Sequence, residues 1–280
     1  MTTEATTEMP HVLSRIGTPL VVASALASTL GIVIAQFLDD LGDGLAAHIL
    51  GGEAVVFNNR AELTGATDLA WGGGFALCVI IGLFALFVYP TQRDQGVPRL
   101  VLLWTLLHVL RQALTQAVVL PFSDDSQLAR AYGTFETAPG LEVVIAAGGA
   151  VGLLLVALSA ASAFLAFAPH RRHISNGRKR LVFALWIALI PAVASAFAAI
   201  PFFLPDSQSL VLPGLPLVTV MFLATLAAAP GTTTVVGPED ARVTSWPWGL
   251  AVFLLLSLIF FLAVLQGGVS IDPRAWGTGQ

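Results

Sequence analysis

Charge is what this chain has least of. Charged side chains make up 11% of its 280 residues, less than half the roughly 25% of a soluble domain. Such a chain cannot cover a water-facing surface, and a soluble globular fold is excluded. The only lysine, Lys179, lies in a basic stretch between apolar runs, so no membrane lysine is available to hold retinal as a Schiff base, and a microbial rhodopsin is excluded. The single cysteine, Cys78, rules out an internal disulfide and thiolate-bound zinc or iron–sulfur sites. The net charge of -4 offers no polyanion-binding surface, so nucleic acid is not an expected partner. Gly-x-Ser-x-Gly, His-Glu-x-x-His and Walker motifs are missing, which removes the common hydrolase and nucleotidase signatures.

What is present is apolar: 56% of the residues are hydrophobic, in runs long enough to cross a bilayer. The expected fold is an all-α, polytopic bundle of seven transmembrane helices in a cell membrane. The expected spans are 19–38, 68–89, 98–120, 139–168, 181–204, 210–229 and 247–266, within a membrane domain of 18–268. Thr18-Pro19 is a helix start, with a hydroxyl cap and a proline in the first turn. The run after it ends in Gln36 and acids rather than a small-residue cleavage site, so it reads as a retained helix. Residues 39–67 hold Asp39, Asp40, Asp43, Glu53, Arg60 and Glu62, with Leu41, Leu45 and Ile49 four apart, a pattern expected for an external amphipathic segment at the interface. Gly148-x-x-x-Gly152 has the spacing of a close helix contact.

Orientation follows from lysine and arginine. With residues 1–17 cytoplasmic, nine of these residues (Arg15, Arg93, Arg99, Arg171, Arg172, Arg178, Lys179, Arg180 and Arg242) fall inside and three (Arg60, Arg130 and Arg274) outside. The tail, 269–280, is then external.

The chemistry concentrates in the third span. On a helix, Trp104, Thr105, His108, Arg111, Gln112, Thr115 and Gln116 share an arc of about 140°, opposite Leu106, Leu110, Ala113, Leu114 and Ala117. An arginine inside hydrocarbon needs a polar partner. Its depth places Arg111 in the outer half, where Glu142, near the start of the fourth span, and Asp68, at the start of the second, are the expected partners. The expectation is a ligand site of His108, Arg111, Gln112 and Gln116 with Glu142 or Asp68, in a transport or small-ligand-binding protein. Arg111 would take an anionic small molecule. His108, with an ordinary pKa of roughly 6.5, would couple the site to protons. No cofactor is assigned.

Two alternatives belong to other classes. The stripe could dock another membrane protein or a second copy, making the chain a non-catalytic subunit. Asp39-Asp40-x-x-Asp43 could instead hold a divalent metal through carboxylate oxygens, with Asp124-Asp125 completing the site. That spacing resembles the aspartate-rich motif of membrane prenyltransferases, and the resemblance implies a metal-dependent enzyme acting on a lipid or isoprenoid, which the expected orientation would put at the outer leaflet, not the side expected for that family's site.

Overall fold

The computed structural model describes residues 17–91, 96–124, 126–135, 140–169, 171–203, 243 and 245–271. It is mostly helical, and among the described residues six helices are long and apolar enough to cross a membrane. The expected span at 210–229 lies outside the described residues.

The first helix, α1, runs Thr18–Ile49 behind Gly17, whose φ of 93° favours a residue without Cβ. At 1.5 Å per residue its 32 residues extend about 48 Å, well beyond the roughly 30 Å of a hydrocarbon core. This corrects the expected boundary at Leu38 and the expected surface helix within 39–67. The acids ride on the last turns of α1, buried to 1% exposure or less, while Leu45 and Ile49 are 39% and 81% exposed. An interfacial helix on a water-facing surface would show the opposite pattern. The chain then turns into strands β1 (Glu53–Val56) and β2 (Ala61–Thr64), an antiparallel hairpin. A 3-10 turn at Asp68–Gly72 leads into α2, Gly73–Val88.

Helix α3, Val97–Val119, is the centre of the bundle rather than an amphipathic edge. Leu103, Trp104, Leu106, His108, Leu110, Arg111, Ala113 and Ala117 are all buried, so both its polar stripe and its apolar back are covered. The stripe lies against α1. Its other sides pack on α2 and on α5, Leu141–Leu165. Between them, the short α4, Gln127–Gly133, sits on the 3-10 turn with Arg130 stacked over Trp71 at 5.3 Å.

The next span is broken: α6 (Gly177–Ala184), a π-helical segment (Leu185–Leu189), then α7 (Ile190–Ala199) with Pro191 in its first turn. Pro191 thus coincides with a change of helix type. Helix α8, Trp248–Ala263, rests on this assembly through Phe261, which meets Phe37 and Phe202 edge-on at 6.0 and 5.6 Å. Beyond it, β3 (Val269–Ser270) joins β1 antiparallel and completes a sheet of order β2-β1-β3, an addition to the expected all-helical fold. Asn58 in the hairpin turn donates to the Phe202 carbonyl at 2.9 Å, tying sheet to bundle.

Candidate functional site

Contacts between α1 and α3 advance together along both chains: Ser24 with Trp104, Ser28 with His108, Asp39 with Gln112 and Gln116. The two helices are therefore parallel, and polar residues spaced three, four or eight apart on α1 meet the stripe of α3. That register divides the stripe into two networks.

The first lies near the middle of the bundle. Trp104 Nε1 donates to Ser24 Oγ at 2.8 Å, and Ser24 Oγ donates to the Ile187 carbonyl in the π segment. Pro191, four residues later, has no N–H for that carbonyl, and the serine supplies one. One turn along, Ser28 Oγ shares hydrogen bonds with His108 Nε2 at 3.0 Å and Ser195 Oγ at 2.7 Å. His108 stacks on Trp104 with ring centroids 5.4 Å apart. It is packed so closely that a Cβ on Gly31 would meet its ring carbon at 2.9 Å.

The second network lies towards the end that carries the sheet. Asp39 accepts from Gln112 Nε2 at 2.9 Å and from Gln116 Nε2 at 2.8 Å. Asp43 accepts from the Gly74 N–H at 2.7 Å and from Gln127 Nε2 at 2.9 Å. Asp40 accepts from Gln36 Nε2 at 3.2 Å, and Gln36 in turn accepts from Gln112 at 3.5 Å. Arg111 donates through Nη2 to Gln112 Oε1 at 3.2 Å, and Asp39 attracts it electrostatically. Three carboxylates and one guanidinium, each at most 4% exposed, are thus linked by glutamine amides. The glycines of the Gly72–Gly74 run make this possible. A Cβ on Gly42 would meet the Gly73 backbone oxygen at 2.5 Å, and one on Gly74 would strike Asp39. Only bare backbones bring α1 and the start of α2 close enough for Asp43 to bond the Gly74 N–H.

The structure brings Arg111, Gln112 and Gln116 together as expected, but with different acids. Asp68 is exposed on the 3-10 turn, and Glu142 lies at the start of α5 with the Tyr132 hydroxyl 3.5 Å away. Neither is paired with Arg111. Among the described residues Arg111 has no carboxylate at ion-pair distance, and the acid nearest to it in the network is Asp39. His108 is on the stripe but belongs to the serine network. Among the described residues no group of three His, Cys, Asp or Glu has the arrangement to hold a metal ion, although Asp39, Asp40 and Asp43 are neighbours. Asp124 is exposed, away from their buried position, and Asp125 lies outside the described residues.

Sequence reasoning missed Gln36, Gln127, Ser24, Ser28 and Ser195. Part of the signal was there: Ser24, Ser28, Gln36, Asp39 and Asp43 recur at near-helical spacing along one face of α1.

Fold and site together define a polytopic helical membrane protein with a buried carboxylate–glutamine–arginine cluster. Family models, curated proteins and solved structures give no match to this chain.

Proposed function

We propose that the protein is a membrane transport or small-ligand-binding protein whose site is the network of Arg111, Gln112, Gln116, Gln36 and Asp39. One observation carries this reading: Arg111, 4% exposed, has among the described residues an Nε with no partner and a single hydrogen bond, to a neighbouring glutamine. A buried guanidinium with unused donors costs several kcal/mol unless something accepts from it. An anionic group on a ligand is the acceptor the site lacks. The stripe faces α1 inside the monomer, so it lends no support to docking of a partner subunit.

The cell membrane is the proposed location, with the network in the outer half. Strands β1 and β3 gather at one end of the bundle, as does the Asn58–Phe202 bond. The 171–180 basic run lies at the other end, on the proposed cytoplasmic side. Phe203 and β3 share an end, and α8 begins at the opposite one.

The test is thermal unfolding of the full chain in lipid nanodiscs with acetate or inorganic phosphate as the anionic probe. At least one raises Tm in the wild type, and Arg111→Gln abolishes the shift while leaving the protein folded. A wild type indifferent to both anions, or an unchanged shift in Arg111→Gln, overturns the proposal.

A further inference from the structure

Three aspartates and one arginine are buried together in the second network, more acids than bases inside the bundle. Buried charge without compensation is expensive, and the glutamine amides that bridge the cluster bring dipoles but no positive charge. The acids are unequally satisfied. Asp39 and Asp43 each accept at both oxygens. Asp40 accepts at Oδ2 alone, and among the described residues no donor meets its Oδ1. At the opposite pole, Arg111 is 96% buried with Nε unpartnered, and the Gln116 Oε1 is also buried and unpartnered. Unused donor and unused acceptor are thus present in one network, joined by the continuous chain Arg111–Gln112–Gln36–Asp40.

A plain anion would satisfy Arg111 but leave the open Oδ1 of Asp40 unmet. A plain cation would meet Asp40 and leave Arg111 unmet. Building on the ligand-site reading above, we propose that the occupant is a small zwitterion, with its anionic group on Arg111 and its ammonium group on Asp40. Two glutamine side chains separate the two poles, so the ammonium and the anionic group of the ligand stand several bonds apart. A compact α-amino acid does not span both. Gln112 and Gln36 stand between the poles with one amide each, able to give to or accept from the ligand's middle.

The experiment measures binding to the full chain in nanodiscs by thermal shift and calorimetry. The probes are glycine, β-alanine, 4-aminobutyrate and 6-aminohexanoate, with acetate and methylammonium as the separated halves. The expected result is binding that tightens along the series and exceeds either half by about tenfold or more, the worth of one added charge-assisted hydrogen bond. Asp40→Asn, which keeps shape and most hydrogen bonding, brings the best zwitterion down to the level of acetate, whereas Asp124→Asn at an exposed position changes nothing. Acetate binding as tightly as every zwitterion overturns this inference yet leaves the anion site at Arg111 standing. Failure of every probe in the wild type, together with indifference to inorganic phosphate, removes both. The wild-type comparison needs no variant, so it holds even where Asp40→Asn fails to fold.

Discussion

Pro191 deprives the Ile187 carbonyl of its helical donor, and Ser24 on α1 makes up the loss while receiving from Trp104. This three-residue contact gives a prediction with an internal control. Ser24→Ala leaves a buried carbonyl and a buried indole N–H unpaired and lowers stability by about 1–3 kcal/mol. In a Pro191→Ala background, where residue 191 again has an N–H, the same change costs less. The double-mutant cycle is read by thermal unfolding, and equal costs in both backgrounds would detach Ser24 from the proline. Asp39 gives the second prediction. Asp39→Ala removes the shared acceptor of Gln112 and Gln116 and the carboxylate that attracts Arg111, at about 3–5 kcal/mol. Asp39→Asn costs less, and the order is checked by unfolding in detergent. Both networks were half legible in the sequence. Arg111 and the glutamines announce themselves because polar side chains are costly in hydrocarbon, whereas Ser24 and Ser28 do not, since a serine in a membrane helix can bond its own backbone and needs no partner elsewhere.

Elements in this protein are held by what their glycines omit. Gly42 and Gly73 bring α1 and α2 into backbone contact, and on α5 it is Gly149 and Gly152 that receive Leu114, Ala117 and Val118 of α3, while Gly148 faces open space. The expected Gly148-x-x-x-Gly152 contact is therefore shifted by one residue at its first member. Spacing alone identifies a close-packing helix, and the rotation that selects the glycine in contact depends on the neighbour. Accordingly Gly42→Ala, whose Cβ meets rigid backbone, destabilises the protein by about 1–3 kcal/mol, the usual cost of overpacking. Gly148→Ala is neutral or slightly stabilising because alanine is the better helix former. Unfolding midpoints of the two variants decide it, and a milder effect at Gly42 would contradict the packing described. The same interplay explains the α1 boundary. Acids after Leu38 read as the exit from the membrane because a lone carboxylate in lipid is too costly, but glutamines on α3 and α4 and the Gly74 N–H meet these acids inside the bundle. The partners of Asp39 and Asp43 lie 31 to 84 residues away in the chain, beyond the reach of any local pattern, whereas Asp40 is met by Gln36 one turn back.

At the scale of the whole molecule, one end is closed by a sheet that recruits strands from before the second span and after the last. Ile271 N–H bonds the Ala54 carbonyl at 2.9 Å, so Val55 and Ser270 form a non-hydrogen-bonded antiparallel pair, the kind in which side chains approach most closely. A disulfide needs Cβ atoms about 3.5–4.5 Å apart, which such a pair can supply. In a Cys78→Ala background, Val55→Cys with Ser270→Cys is expected to crosslink on mild oxidation and to raise the unfolding temperature, because it closes a loop of most of the chain. The reduced pair also reports sidedness. Lys179 is exposed at the far end of the bundle, and the orientation proposed from the basic run around it puts that end in the cytoplasm. A membrane-impermeant maleimide added to intact cells therefore labels reduced Ser270→Cys and spares Lys179→Cys, with inverted vesicles giving the reverse. Labelling of both from one face would mean that the sheet and the basic run are not separated by the bilayer. Labelling of Lys179→Cys alone in intact cells would turn the molecule over and place the Arg111 network in the half of the membrane next to the cytoplasm.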